Sequence, residues 1–235
     1  MLMSRFMTPA RWLEREIRCI ETELEPPFSV ERPAALVTPF IFNSPHSGRV
    51  YPSIFIKTSQ LSPQALRMSE DLFIDKLFAP VVDKGATLMS ARFPRAYLDL
   101  NRQPYELDPA LFADKLPDYA NSNSLRVIGG LGTIPRLVNE NEEIYAAPLP
   151  LNVGLARVER LYQPYHDTLA RLIEDTRESF GRAFLIDCHS MPSHLGETPG
   201  IPPYDIVLGD RFGGSCSRDL VDFAATTFSM MGYRV

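Results

Sequence analysis

Short apolar runs separated by stretches of helical periodicity constrain this chain most. Residues 35–43, 86–91 and 183–188 each read as a buried strand, the first interrupted at Pro39. Residues 96–100 read as another, after the Phe93-Pro94-Arg95 corner, and residues 206–208 as a further candidate. Helical signals lie between them. Ser62-Pro63 is a capping residue followed by proline. Residues 71–83 form a helical run that Gly85 stops. A long helix over 152–180 is closed by Gly181 and kinked at Pro164, and residues 217–230 carry one more. Residues 1–33 look peripheral, with a charged surface helix over 11–23 that Glu25-Pro26-Pro27 ends. Residues 103–150 are rich in Pro, Asn and Gly and show no long helix, a pattern of functional or mobile stretches. Strands alternating with helices predict an α/β sandwich around a mainly parallel sheet, with ligands gathering at the carboxyl ends of its strands.

Charge and composition narrow the partners. Lys and Arg number 24 against 29 Asp and Glu, a net charge of −5. Such a chain has no global field for a phosphate backbone, so nucleic acid is not an expected partner. No window approaches the ~20 apolar residues of a membrane span, and residues 1–25 lack the apolar stretch of a secretory signal. Cys19, Cys188 and Cys216 are too few and scattered for a disulfide scaffold or a thiolate zinc site, so a reduced, cytoplasmic protein is expected. Proline is over-represented at 21 residues, and Pro45, Pro94, Pro164 and Pro192 stand beside candidate motifs. They either stiffen site loops or simply punctuate them.

Two of the four histidines, His46 and His189, stand just past the ends of predicted strands, and each is followed by serine. Singly, such residues are satisfied loop histidines; together they suggest one site. Neutral imidazole is a common zinc ligand, and a catalytic zinc takes three protein ligands and leaves one position open. The third ligand should be a carboxylate early in the next element, where Glu70-Asp71 opens the 71–83 run. The alternative is a solvated helix cap. Asp75 is a weaker candidate and a natural partner for a surface cation. Asp187, two residues before His189, faces the same way on a strand and suits an outer partner for a ligand.

The segment Pro94-Arg-Ala-Tyr-Leu-Asp-Leu-Asn-Arg102 crowds polar groups around a short apolar run. On a strand, Arg95, Tyr97, Asp99 and Asn101 would share one side. An arginine here either clamps an anionic substrate or closes an internal Arg95–Asp99 or Arg102–Glu106 pair. Tyr165 reads as core. His166, beside the kink, faces either the cleft or the protein interior.

In this order, Asn43-Ser-Pro-His-Ser-Gly48, Ser69-Glu-Asp71, residues 94–102, Pro164-Tyr-His166, Asp187-Cys-His-Ser-Met-Pro192 and Tyr204-Asp-Ile-Val-Leu-Gly-Asp210 resemble the N-formylglutamate amidohydrolase family. The resemblance covers roughly residues 38–235. It implies a three-layer α/β/α sandwich with a mixed, mainly parallel sheet, similar to the zinc carboxypeptidases and aspartoacylases. It implies a hydrolase with one zinc ion, other divalent metals being alternatives, that cleaves a small N-acyl amino acid such as N-formyl-L-glutamate. By motif position His46 and His189 match the two histidine ligands. Asp71 is the preferred carboxylate ligand and Glu70 the second choice, because Arg49 occupies the place where carboxypeptidases carry theirs. Asn101 and Arg102 resemble a substrate-carboxylate pair, Arg95 a second carboxylate site or the group that polarises the scissile carbonyl, and His166 a substrate contact.

The family's general-base glutamate falls late in the chain, on a strand beyond the second histidine. It is expected beyond residue 235, which makes residues 34–235 a catalytic domain short of its C-terminal part; Glu197 follows His189 but does not match the motif. Two alternatives stand beside the N-formylglutamate reading: a zinc amidase or carboxypeptidase-like enzyme on another acyl amino acid or peptide, and a truncated, non-catalytic carboxylate binder.

Overall fold

A computed structural model describes residues 8–139, 142–192 and 203–235. The chain forms two compact units, Met1–His189 and Ser190–Val235. The first unit runs α1 (Pro9–Glu23), β1 (Phe28–Glu31), β2 (Phe40–Ser44), α2 (Ser53–Thr58), α3 (Pro63–Leu66), α4 (Ile74–Phe78), β3 (Thr87–Ala91), α5 (Leu125–Ile128), α6 (Leu151–Arg157), α7 (Gln163–Phe180) and β4 (Phe184–Asp187). The second carries α8 (Arg218–Met230).

The strands make one mixed sheet in the order β1-β3-β2-β4. β2 is parallel to both β3 and β4, and β1 is antiparallel to β3. The register sets Phe40 beside Phe184 and Asn43 beside Asp187. Consecutive strand residues point to opposite faces. The Phe42 ring lies 5.8 Å from that of Phe78 in α4, while Asn43 bonds Tyr165 in α7. Helices therefore cover both faces of β2, which accounts for its apolar run.

Residues 8–33 are fastened to the core. Trp12, Ile20 and Leu24 are buried, and β1 adds an edge to the sheet. Thr8 caps α1 and Pro9 occupies its first turn, a start signal two residues before the expected 11–23 helix. Glu16 of α1 pairs with Arg157 of α6 at 2.5 Å, both side chains 0–1% exposed. The Arg157 guanidinium also lies 3.9 Å from the Tyr97 ring centroid and donates to Tyr145 Oη at 2.7 Å. Burial alone would push Arg157 down, but the Glu16 carboxylate beside it raises it above its ordinary value.

Three expectations change. Residues 96–100 form no strand: the amides of Tyr97 and Leu98 both donate to the Pro94 carbonyl, and Asp99 donates to Thr133. Their apolar character reflects burial beneath the 103–150 segment, which supplies Leu107, Leu111, Ile134, Ile144 and Leu149 to the core. Residues 206–208 form no strand either; in the second unit the amides of Asp205 and Ile206 donate to the Arg234 carbonyl. The 71–83 run is helical only over α4 and a 3-10 turn at Ala79–Val81. Phe73 takes a left-handed conformation (φ 64°) just ahead of α4, so Asp71 precedes the helix instead of opening it.

The 152–180 helix is interrupted by a π-helical turn at Val158–Tyr162, which ends two residues before Pro164. Proline lacks the N–H for the i−4 bond and its ring crowds that carbonyl; the wider turn absorbs both. As expected, Gly181 (φ 71°) caps α7 and Ser62 caps α3.

Candidate metal centre

The parallel pairing of β2 with β4 brings two strand ends side by side. Beyond β2 the chain turns through Pro45 to His46; beyond β4 it reaches His189, and Cys188 donates its amide to the Asn43 carbonyl at 2.7 Å. The imidazole centroids are 4.9 Å apart. The His46 loop lies tight against the end of β3, since a Cβ on Gly48 would sit 2.0 Å from the Phe93 carbonyl oxygen. Glycine is required there by close backbone approach. The Asp71 amide donates to the His46 carbonyl at 3.0 Å, which ties the carboxylate-bearing loop to the first histidine.

His46, Asp71 and His189 offer ligand atoms that all lie within 4.8 Å of one another. Asp71 Oδ2 is 2.7 Å from His189 Nδ1 and 3.5 Å from His46 Nδ1. The opposite nitrogens face carboxylates: His46 Nε2 is 2.8 Å from Asp99 Oδ1, and His189 Nε2 is 3.0 Å from Asp187 Oδ2. A carboxylate only accepts, so with a cation held between Asp71 and the two Nδ1 atoms these partners would keep the proton on each Nε2 and leave the Nδ1 lone pairs for the metal.

This donor set fits a divalent cation. His46 Nδ1 is buried and has no hydrogen-bond partner. An orphaned buried nitrogen aimed at a carboxylate and a second imidazole is costly unless a ligand completes it. Two imidazoles and one carboxylate, each imidazole backed by an outer carboxylate, suit zinc. Burial would raise the Asp71 carboxyl, but the imidazoles of His189 and His46 hold it well below the usual carboxylate range. Burial would lower His189, but Asp187 and Asp71 push it up to about 9.

Asp99 joins the site to the arginines. Its Oδ2 is 3.0 Å from Arg95 Nε and 3.3 Å from Arg102, and its Oδ1 accepts the Asn101 amide at 2.9 Å. Burial is again outweighed: the His46 contact and the two guanidiniums keep this carboxyl well below its ordinary range. The Arg95–Asp99 pair is thus present, while Arg102 is directed to Asp99, the Leu131 carbonyl (2.9 Å) and the Asn101 carbonyl (2.7 Å). The Asn101 side-chain amide lies 3.2 Å from His189 Nε2.

Glu70 turns elsewhere, accepting from Tyr51 Oη at 2.7 Å. Asp75 meets Arg49 through two contacts of 2.7 and 3.2 Å. His166 is turned inward, its Nε2 donating to the Leu100 carbonyl at 2.9 Å, and burial lowers it below its ordinary value. Glu197 lies outside the described residues. Sequence reasoning took Asp99 only as an arginine partner and passed over Asn43. The sheet register, which sets Asn43 against Asp187, is the signal that finds the latter.

The family model for N-formylglutamate amidohydrolase matches residues 38–235, the span that contains every residue of this centre. The chain belongs to the N-formylglutamate amidohydrolase family. An N-formylglutamate deformylase from Pseudomonas putida is 29% identical over 191 residues, 78% of this chain and 63% of that protein. One from Pseudomonas aeruginosa is 25% identical over 77% of this chain and 63% of its own length. The chain therefore spans less than two thirds of these relatives. The solved structure of an N-formylglutamate amidohydrolase from Ralstonia eutropha superposes with a TM-score of 0.82 at 34% identity, covering 89% of this chain and 75% of that one. Within the span that the family model matches, His46, Asp71 and His189 form a group that could hold a metal ion. Among the described residues no helix is long and apolar enough to cross a membrane.

Proposed function

We propose that this chain is a zinc-dependent amidohydrolase that releases formate and glutamate from N-formyl-L-glutamate in the cytoplasm. The observation that carries the reading is the orphaned Nδ1 of His46, converging with Asp71 and His189 while both Nε2 atoms face carboxylates. Helices on both faces of β2 support the three-layer arrangement of the zinc exopeptidases.

When bound, the zinc ion supplies Lewis acidity and lowers the pKa of water at the site toward about 7. His46, Asp71 and His189 hold it. Asp99 and Asp187 fix the imidazole tautomers. Arg95, with its side chain 29% exposed beside Asp99, faces the charge that develops on the formyl oxygen. Asn101 and Arg102 dock the amino-acid carboxylate, Arg102 using donors beyond those it directs into the protein. His166 acts on that subsite by holding the Leu100 carbonyl next to Asn101.

Formate release from N-formyl-L-glutamate by the zinc-loaded protein tests the reaction, alongside a panel of other N-acyl amino acids. Turnover of another member of that panel in preference to the formyl substrate overturns the substrate assignment. Zinc content of His46→Ala and His189→Ala tests the ligands: both should fall, and full occupancy in both overturns the assignment.

A further inference from the structure

We propose that Asn43 and Tyr165 are positioning residues that aim the Nδ1 atom of His189 at the cation; this rests on the metal reading above. Asn43 lies on β2 directly across from Asp187 on β4. Its amide nitrogen donates to Asp187 Oδ1 at 2.7 Å, and Tyr165 Oη donates to its carbonyl oxygen. Because a carboxylate accepts only, the Asn43 nitrogen must face Asp187, and the oxygen is left for the tyrosine. The chain of bonds therefore has one direction, from Tyr165 through Asn43 and Asp187 to His189.

Each link restricts the next. Tyr165 is fully buried and Asn43 is 6% exposed, so both are held by packing. The Asp187 side chain is 37% exposed and is free to swing toward water unless something holds it. Asn43 engages its Oδ1, which leaves Oδ2 to accept from His189 Nε2. With the cation bound, a proton kept there leaves Nδ1 as the ring's only lone-pair nitrogen, and the Asn101 side-chain amide, 3.2 Å from Nε2, would present its oxygen to that proton. The partner of the other histidine is anchored differently: Asp99 is held by two guanidiniums and a backbone amide. A short neutral side chain with one donor and one acceptor is what the His189 side requires, and asparagine at position 43 supplies it. Leucine would strand both the tyrosine hydroxyl and one carboxylate oxygen.

The test is zinc affinity, read by calorimetric displacement from a chelator, for Asn43→Ala, Tyr165→Phe, Asp187→Ala and the Asn43→Ala/Asp187→Ala double variant. Asn43→Ala should weaken zinc about 10–100-fold, the range for lost outer partners of a ligand, and Tyr165→Phe less. The double variant should bind no more weakly than Asp187→Ala alone, since Asn43 acts through that carboxylate; general loosening would instead add. In the zinc-loaded parent the His189 Nε2 proton should give a slowly exchanging downfield NMR signal that Asn43→Ala abolishes. Variants that bind zinc as tightly as the parent, or losses that add, overturn the proposal. If Asn43→Ala does not fold, Tyr165→Phe alone and combined with Asp187→Ala decides by the same criteria. A parent that takes up no zinc overturns the metal reading itself, a result distinct from a zinc-binding parent with unaffected variants.

Discussion

Asp99 Oδ1 stands 2.8 Å from Nε2 of His46, and both side chains are 1% exposed. The same carboxylate holds Arg95 and Arg102, so one buried group orients a candidate ligand and two candidate substrate contacts. Replacing Asp99 by Ala should lower zinc affinity about 10–100-fold, the cost typical of a lost outer partner. Arg95 and Arg102 would also lose their anchor, so kcat/KM should fall further than metal loading explains. Chelator competition, followed by kinetics at saturating zinc, separates the two effects.

The Glu16–Arg157 pair tests how α1 is held. Arg157→Ala leaves the buried Glu16 carboxylate with only the Tyr97 hydroxyl on Oε1, its Oε2 already having no partner. The expected loss is about 3–5 kcal/mol, measured by urea denaturation. Glu16→Gln combined with Arg157→Met should recover much of it, because the uncompensated charge is gone. A loss below about 1 kcal/mol for Arg157→Ala alone would place the pair among weak surface contacts.

Gly48→Ala sets a methyl group against the Phe93 carbonyl, which is backbone and has little room to yield. Destabilisation of about 1–3 kcal/mol is expected, as for other overpacked sites. Since the same loop carries His46, zinc affinity should drop as well. A variant with the parent's thermal midpoint and metal affinity would show that the loop moves freely.

His166 should make stability fall on mild acidification. Burial lowers it below its ordinary value, while its bond to the Leu100 carbonyl and the Asp187 and Asp167 carboxylates oppose that shift only in part. The unfolded chain then takes up a proton near pH 6.5 before the folded protein does. Stability is thus retained above the unfolded value and lost as pH falls from there through the folded value. His166→Gln keeps a donor for Leu100 but does not titrate, so the difference in urea midpoint between the two proteins should change between about pH 7 and pH 5. A constant difference across that window would refute the assignment.

Much of the centre is legible in the sequence because its histidines obey a local rule. Each follows an apolar strand, and parallel pairing then brings His46 and His189 together. Asp71 was found from position near a helix start, although Phe73 delays the helix and leaves Asp71 in a loop. Residues 96–100 misled because burial beneath a loop produces the same apolar run as burial in a sheet. The importance of residues 8–33 is hidden for a related reason: Glu16 looks like a surface charge until Arg157, far along the chain, covers it. Asn43 and Asp99 are ordinary polar residues by spacing; only register and turn geometry show what they face.

The lateral match of β4 to β2 is also a chemical setting. Were β4 to slip by one residue, strand alternation would send Asp187 to the opposite face and carry His189 away from Asp71. The connection after α7, only residues 181–183, is therefore a ruler. An inserted or deleted residue there would be read out as a change in how closely His189 approaches His46 and Asp71.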